Sequence, residues 1–172
     1  MGLNYYTARE ILRARCAEGL GDVVTIGRLQ QFLLPAQVER LKQLGAPDGD
    51  WARTGFGEFA DGFFEAAGAR SLRAIDASRY EGASVIHDMN EPLPLDMTRR
   101  FDLVVDGGSL EHVFRVDTAL ANDMRLLRPG GRLIVWAPSN NQCGHGFYQF
   151  SPEFFFRACL LYTSDAADDL TR

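Results

Sequence analysis

The chain has 172 residues and a mass of 19.2 kDa, with 46% hydrophobic residues, 24% charged residues and a formal charge of −5 at pH 7. That length suits one domain with a continuous core, and the composition excludes disordered and fibrous classes. No apolar run nears the roughly 20 residues of a membrane span, the N-terminal residues show no basic-then-apolar signal pattern, and Tyr6 stands where a myristoylation motif carries Ser or Thr.

In chain order, Ala8, Ile11, Leu12 and Cys16 recur at helical spacing and predict a first amphipathic helix, punctuated by Gly19 and Gly21. The β-branched run Val23-Val24-Thr25-Ile26 predicts a buried strand. A second helix starts at Pro35, where a missing N–H does no harm, carries Val38, Leu41 and Leu44 on one face and stops at Gly45. Residues 45–57 read as a loop long enough to suggest a lid or binding loop. Phe59, Phe63 and Ala66 mark a third helix ending near Gly68. Further strands are predicted at Ser71–Asp76, Ala83–His87, Phe101–Asp106 and Arg132–Ala137. Between the last two, Val113, Val116, Leu120, Met124 and Leu127 mark a helix, and Arg128-Pro129-Gly130-Gly131 turns the chain into the final strand. Ser151-Pro152-Glu153 caps a further helix. Strands that alternate with helices and are apolar throughout predict an open α/β fold, a mostly parallel sheet with helices on both faces.

Cys159 to Asp169 resembles the in-frame translation of a constant adapter used in transposase-based DNA sequencing libraries, so residues 159–172 are expected to be a non-native tail. Without Asp165, Asp168, Asp169 and Arg172 the net charge is −3. This mild acidity and the lack of a basic cluster speak against a nucleic-acid partner. Cys16, Cys143 and Cys159 are odd in number and far apart, which excludes a disulfide framework or a Cys-x-x-Cys zinc site and fits a reducing cytoplasm. No sequence feature sets the oligomeric state.

Ligands of an open parallel sheet sit beyond the carboxyl ends of its strands. Here those positions hold Gly27, Asp76, Asp88, Asp106-Gly107-Gly108 and Pro138-Ser139-Asn140-Asn141. A lone aspartate there is an ordinary loop or cap residue, but three at equivalent register favour a nucleoside-containing ligand, since such a carboxylate can accept both ribose hydroxyls. The loop Asn140–Phe150, rich in amide, imidazole and phenol groups, is a candidate acceptor side, where His145 or Tyr148 could orient or deprotonate a substrate. His112 and His87 are expected to support local structure. No metal site is expected. No His-x-x-x-His or His-Glu-x-x-His spacing occurs, and on a helix the adjacent Glu111 and His112 would diverge. Gly107-Gly108-Ser109-Leu110-Glu111 lacks the Gly-x-Ser-x-Gly elbow of hydrolases.

The segment Phe101-Asp102-Leu103-Val104-Val105-Asp106, Leu110-Glu111-His112-Val113 and Leu126-Leu127-Arg128-Pro129-Gly130-Gly131-Arg132-Leu133-Ile134-Val135 resembles the fourth-to-fifth-strand region of class I S-adenosylmethionine-dependent methyltransferases. Ile75-Asp76-Ala77-Ser78 and His87-Asp88-Met89-Asn90 resemble the family's second- and third-strand motifs. The resemblance implies a Rossmann-like fold over residues 1–158, lacking the family's last two strands, and S-adenosylmethionine as cofactor. It implies that Asp76 and Ala77 meet the ribose, Asp88 and Met89 border the adenine, and Asp106 and Gly107 lie near the transferred methyl. Thr25 and Gly27 would line the first-strand loop, Glu111 and His145 would be the candidate bases, and Asn140 and Tyr148 would meet a small-molecule, glycan or lipid acceptor.

The sequence departs from the family pattern after the first strand. Where an acidic-x-Gly-x-Gly-x-Gly loop is usual, it reads Thr25-Ile26-Gly27-Arg28-Leu29-Gln30-Gln31. Arg28 and Leu29 add bulk where glycine admits a ligand, and Arg28 adds positive charge near a sulfonium. Either the cofactor binds in an altered pose, aided by the 45–57 loop, or the domain is a non-catalytic binding or scaffold relative. A nicotinamide-dependent oxidoreductase is a third reading, with no Gly-x-Gly-x-x-Gly to support it.

Overall fold

A computed structural model describes residues 2–158, and the 159–172 tail lies outside them. Five parallel strands form one sheet in the order β3-β2-β1-β4-β5. They are β1 (Gly21–Ile26), β2 (Ala69–Asp76), β3 (Val85–Ile86), β4 (Phe101–Asp106) and β5 (Leu127–Val135). The predicted open parallel sheet is therefore present. Its centre, β1 against β4, is in continuous register from Val23 opposite Leu103 to Ile26 opposite Asp106.

Successive residues of a strand face opposite sides of a sheet, so a strand covered on both faces must be apolar throughout. Val23 and Leu103 point into one core, with Ile11, Leu41, Trp51, Phe63 and Phe64. Val24, Ile26 and Val104 point into the other, with Ile75, Leu110, Leu120 and Leu126. The first core is covered by α1 (Tyr5–Ala14), α2 (Pro35–Gln43) and α3 (Asp61–Ala66), the second by α4 (Val116–Leu126).

Asn4 starts α1 by accepting from the Tyr6 and Thr7 N–H groups at 2.9 and 3.1 Å. Pro35 opens α2, and the Gln37 side chain accepts from Leu34 N–H at 3.0 Å. Three apolar positions depart from the expected faces. Cys16 lies past the end of α1 and is exposed, its thiol donating to the Gly19 carbonyl at 3.2 Å. Leu44 ends α2 with 56% of its surface exposed, because the last turn rotates it away from the Val38–Leu41 face. Phe59 precedes α3 rather than belonging to it.

The 45–57 segment is no free lid. It contains a short 3-10 turn at Asp50–Arg53 whose Trp51 is 1% exposed and meets Phe63 edge-on at 5.3 Å. Trp51 Nε1–H donates to the Pro47 carbonyl at 2.9 Å, and the Gln31 amide donates to the Trp51 and Thr54 carbonyls at 3.0 and 3.2 Å. A large aromatic side chain in the core holds the loop down.

Strand β5 begins at Leu127, directly after α4, rather than at Arg132. The Pro-Gly-Gly sequence lies inside it as an irregularity: Phe101 faces Leu127, and the next register pair is Leu103 with Arg132. Gly130, with φ of +81°, supplies a conformation that other residues resist. Below the sheet, Asp22 receives hydrogen bonds from Arg70, Ser71 and Arg128, while Asp102 accepts from Asp22 N–H at 2.7 Å and pairs with Arg128 at 3.1 Å. Arg128 thereby ties the irregular start of β5 to β1 and β4. The expected helix near Ser151 is present over 152–158, with Ser151 Oγ accepting from Glu153 N–H at 3.3 Å.

Candidate functional site

The strand order reverses direction between β1 and β4, and their carboxyl ends define the crevice where open α/β sheets bind ligands. Gly27 follows β1 with φ of +72°, and a Cβ added there would meet only Ser109 Oγ at 3.6 Å. The Ser109 hydroxyl closes the gap between the two strand ends by donating to the Ile26 carbonyl at 2.9 Å. Backbone exposed in this way admits a close ligand, and Asp76 lies one strand over. Its Oδ1 accepts from Ser78 N–H at 2.8 Å, a geometry that leaves the second oxygen for a hydroxyl donor. Ala77 is exposed beside it. Gly27 and Asp76 therefore fit a ribose-bearing ligand.

Other predicted positions are differently occupied. Thr25 is buried and lines a cavity of about 260 Å³ under α3, together with Arg28, Asp61, Leu72 and Ser84. Asp88 is exposed but turned onto its own loop, its Oδ1 accepting from the Asn90 backbone and side-chain N–H groups at 2.9 and 2.8 Å. Those bonds, the backbone one foremost, hold its carboxyl below the usual range. The Met89 side chain packs in the core with Leu93 and Leu120, so it does not border the crevice as expected.

Asp106 is buried, and its Oδ1 caps the following turn by accepting from Gly108 and Ser109 N–H at 3.1 and 2.7 Å. Burial pushes its pKa up to about 6 against the pull of those N–H groups, and the charge of Glu111 adds to the rise. On α4, Asp123 is buried with neither carboxyl oxygen hydrogen-bonded, and burial together with the charge of Asp106 pushes it well above the usual carboxylate range. Next to it, Asn122 ties the β3–β4 connection down through the Leu93 N–H and the Glu91 carbonyl at 3.1 and 2.8 Å.

Arg28 and Leu29 are both committed. The Arg28 guanidinium pairs with Asp61, lies 3.8 Å over the Phe59 ring, and donates to the Glu81 carbonyl in the loop after β2 at 3.3 Å. Asp61 thus offsets its positive charge. Leu29 is 4% exposed and packs on Gly107, where an added Cβ would lie 2.7 Å from Leu29 Cδ2. The segment carrying Leu29 pairs with the entry to α3, with Ala60 N–H donating to the Leu29 carbonyl at 2.9 Å and Gln31 N–H to the Glu58 carbonyl at 2.7 Å. Residues 32–56 are therefore an excursion closed at its base, which accounts for the long path from β1 to β2.

The loops after β4 and β5 converge on Glu111. Its carboxylate is 0% exposed and neither oxygen has a hydrogen-bond partner. Oε1 lies 3.5 Å from His145 Nε2 and 3.9 Å from His112 Nε2, and the two imidazoles meet edge-on with centroids 4.8 Å apart. The Glu111 carbonyl accepts from Phe147 N–H at 2.7 Å and Tyr148 N–H at 3.3 Å. Only glycine fits at 146, because a Cβ there would strike that carbonyl. The expected divergence of Glu111 and His112 does not occur. They stand on a 3-10 turn, Leu110–His112, and not on a helix. Tyr148 donates its hydroxyl to the Phe114 carbonyl at 2.6 Å, so its phenol anchors the loop, while Asn140 is exposed. His87 follows β3, with Nε2 2.9 Å from the Glu91 carbonyl. The sequence does not reveal that His112 stands beside His145, nor that Asp123 is buried, whose only visible signal is a charge on the apolar face of α4.

A parallel sheet in this order, with its crevice between β1 and β4, defines a Rossmann-like α/β domain. Residues 55–135, from the approach to α3 to the end of β5, match the family model described as a methyltransferase domain. The match begins after β1, at the close of the 32–56 excursion, and so leaves out the loop after β1 where the sequence departs from the family pattern. Among solved structures, the crystal structure of the trans-methyltransferase CalH in complex with SAH is 16% identical, with a TM-score of 0.39, over 76% of this chain and 35% of that one. The chain spans about a third of the length of that protein. No curated protein matches it. Among the described residues, no helix is long and apolar enough to cross a membrane.

Proposed function

We propose that this domain binds S-adenosylmethionine in the crevice between β1 and β4 and transfers its methyl group to a small-molecule, glycan or lipid-headgroup acceptor in the cytoplasm. The observation that carries the reading is the open backbone of Gly27 at the strand-order reversal, with the Asp76 carboxylate at the end of the neighbouring strand. Asp76 would hold the ribose hydroxyls, the Asp88 loop would border the base, and Gly107 would face the reacting end. When bound, S-adenosylmethionine supplies a methyl on a positively charged sulfur, which is displaced in line by the acceptor nucleophile. What the protein itself contributes is alignment and removal of a proton. Glu111 and His145 take the proton, because the imidazole faces solvent and the buried carboxylate 3.5 Å behind it stabilises the imidazolium. The exposed Asn140 would meet the acceptor.

The packing of Leu29 on Gly107 favours a second reading, a non-catalytic binding or scaffold domain. Calorimetric titration with S-adenosylmethionine and with its demethylated product separates the two. Saturable heat with both ligands is the expected outcome. No heat with either at millimolar concentration would leave the scaffold reading.

A further inference from the structure

We propose that Glu111, His112 and His145 form a binding site for one divalent transition-metal ion of the zinc type. Among the described residues, these three offer donor atoms that all lie within 4.8 Å of one another. Two of the three separations are 3.5 and 3.9 Å, with Glu111 Oε1 common to both. A tetrahedral ion with bonds of about 2.0–2.1 Å holds its ligand atoms roughly 3.4 Å apart. The two glutamate–histidine edges are thus within a few tenths of an ångström of the required span, and rotation of two partly exposed imidazoles shortens the third.

The state of Glu111 points to a ligand independently of these distances. A fully buried carboxylate without a single hydrogen bond is an expensive arrangement, and proteins ordinarily resolve it with a cation, a donor or a proton. Among the described residues, the basic groups within 4 Å of it are the two imidazoles. The site is also built, not accidental. Gly146 permits the His145 loop to close on Glu111, and two backbone N–H groups bond the loop to the Glu111 carbonyl. The histidines stand on the solvent side of the carboxylate, which gives an ion a path inward.

Two neutral imidazoles and one carboxylate suit zinc and its neighbours, and they leave a fourth position open. Exposed Phe114 and Phe147, edge-on at 5.7 Å, each follow one of the two histidines by two residues in their loops. If the methyl-transfer reading holds, an acceptor hydroxyl at the fourth position would lose its proton at neutral pH, with His145 acting as ligand and not as free base.

The test is a cobalt(II) titration of the chelator-treated full chain, followed by visible absorption and then by displacement with zinc. It is done without S-adenosylmethionine, so its outcome is independent of the cofactor titration above. One equivalent of cobalt should bind, with the d–d bands of a four-coordinate site and no thiolate-to-metal charge transfer. His145→Ala, His112→Ala and Glu111→Gln should each weaken zinc binding by about 100-fold or more, since even residues that only orient metal ligands are worth 10–100-fold. His87→Ala should leave it unchanged. Zinc should raise the melting temperature of the wild-type chain and not of Glu111→Gln, a variant whose uncharged side chain relieves the buried carboxylate and so folds without metal. No saturation below millimolar cobalt, a thiolate band, or full affinity in Glu111→Gln would each overturn the proposal.

Discussion

Leu29 packs on Gly107 so closely that a Cβ on residue 107 would lie 2.7 Å from Leu29 Cδ2. A residue of the loop after β1 thereby occupies space beside the end of β4, where a ligand of the crevice would pass. Leu29→Ala should remove that bulk. The expected outcome is a loss of about 2–4 kcal/mol in stability, from deleting a buried leucine, together with tighter binding of S-adenosylmethionine. Urea denaturation and calorimetry read the two effects separately. Unchanged affinity in a folded variant would show that Leu29 does not restrict the crevice.

Asp106 makes the stability depend on pH in a defined direction. Its folded pKa is raised to about 6, so its contribution is fully present below the ordinary value of 3.8 and is lost as the pH rises through about 6. Asp106→Asn keeps an oxygen for the Gly108 and Ser109 N–H groups and removes the titration. Relative to wild type, the variant should gain stability between pH 4 and pH 8, on the order of 3 kcal/mol at 1.36 kcal/mol per pKa unit. Denaturant melts at the two pH values check this, and equal differences at both would refute it.

Asp22 acts oppositely at the other end of the sheet. The Arg70 guanidinium foremost, with Ser71 and Arg128, holds its carboxyl well below the usual range against the cost of burial. Its contribution is therefore present above pH 3.8 and lost as the pH falls through its lower folded value. Asp22→Asn should cost about 1–3 kcal/mol at pH 7, the scale of a hydrogen-bonded charged group, and progressively less as the pH falls below 3.8. Arg128→Ala should act in the same direction, since it frees the start of β5.

Trp51 distinguishes an anchored excursion from a moving lid. Trp51→Ala should destabilise the fold by about 3–5 kcal/mol, because it empties a core position against Phe63. A loop free to open would instead change ligand affinity and leave the melting temperature nearly untouched. Thermal unfolding of the variant decides.

Much of the fold was legible in the chain because its strands are buried on both faces. Val23–Ile26 is apolar but for Thr25, and Leu103–Val105 is an apolar run between two aspartates, a pattern that suits a covered parallel sheet, and both strands occur where predicted. The displaced features are those in which local signals compete. Pro129-Gly130-Gly131 reads as a turn, yet strand pairing with β4 absorbs it as an irregularity. Residues 45–57 read as a lid or binding loop because a single tryptophan gives no periodicity, although its burial and the Gln31 amide hold the segment to the core.

By itself the sequence determined the parallel α/β architecture and the placing of Gly27, Asp76, Asp88 and Asp106 at strand ends, since periodicity and turn chemistry act over a few neighbouring residues. Tertiary structure decided which of those positions is accessible. Asp106 turns inward to cap its own turn, and Leu29 reaches Gly107 from a distant part of the chain. It alone also joined Glu111 and His112 to His145. Contacts between loops far apart in sequence depend on the paths those loops take, here on the close approach of Gly146 to the Glu111 carbonyl.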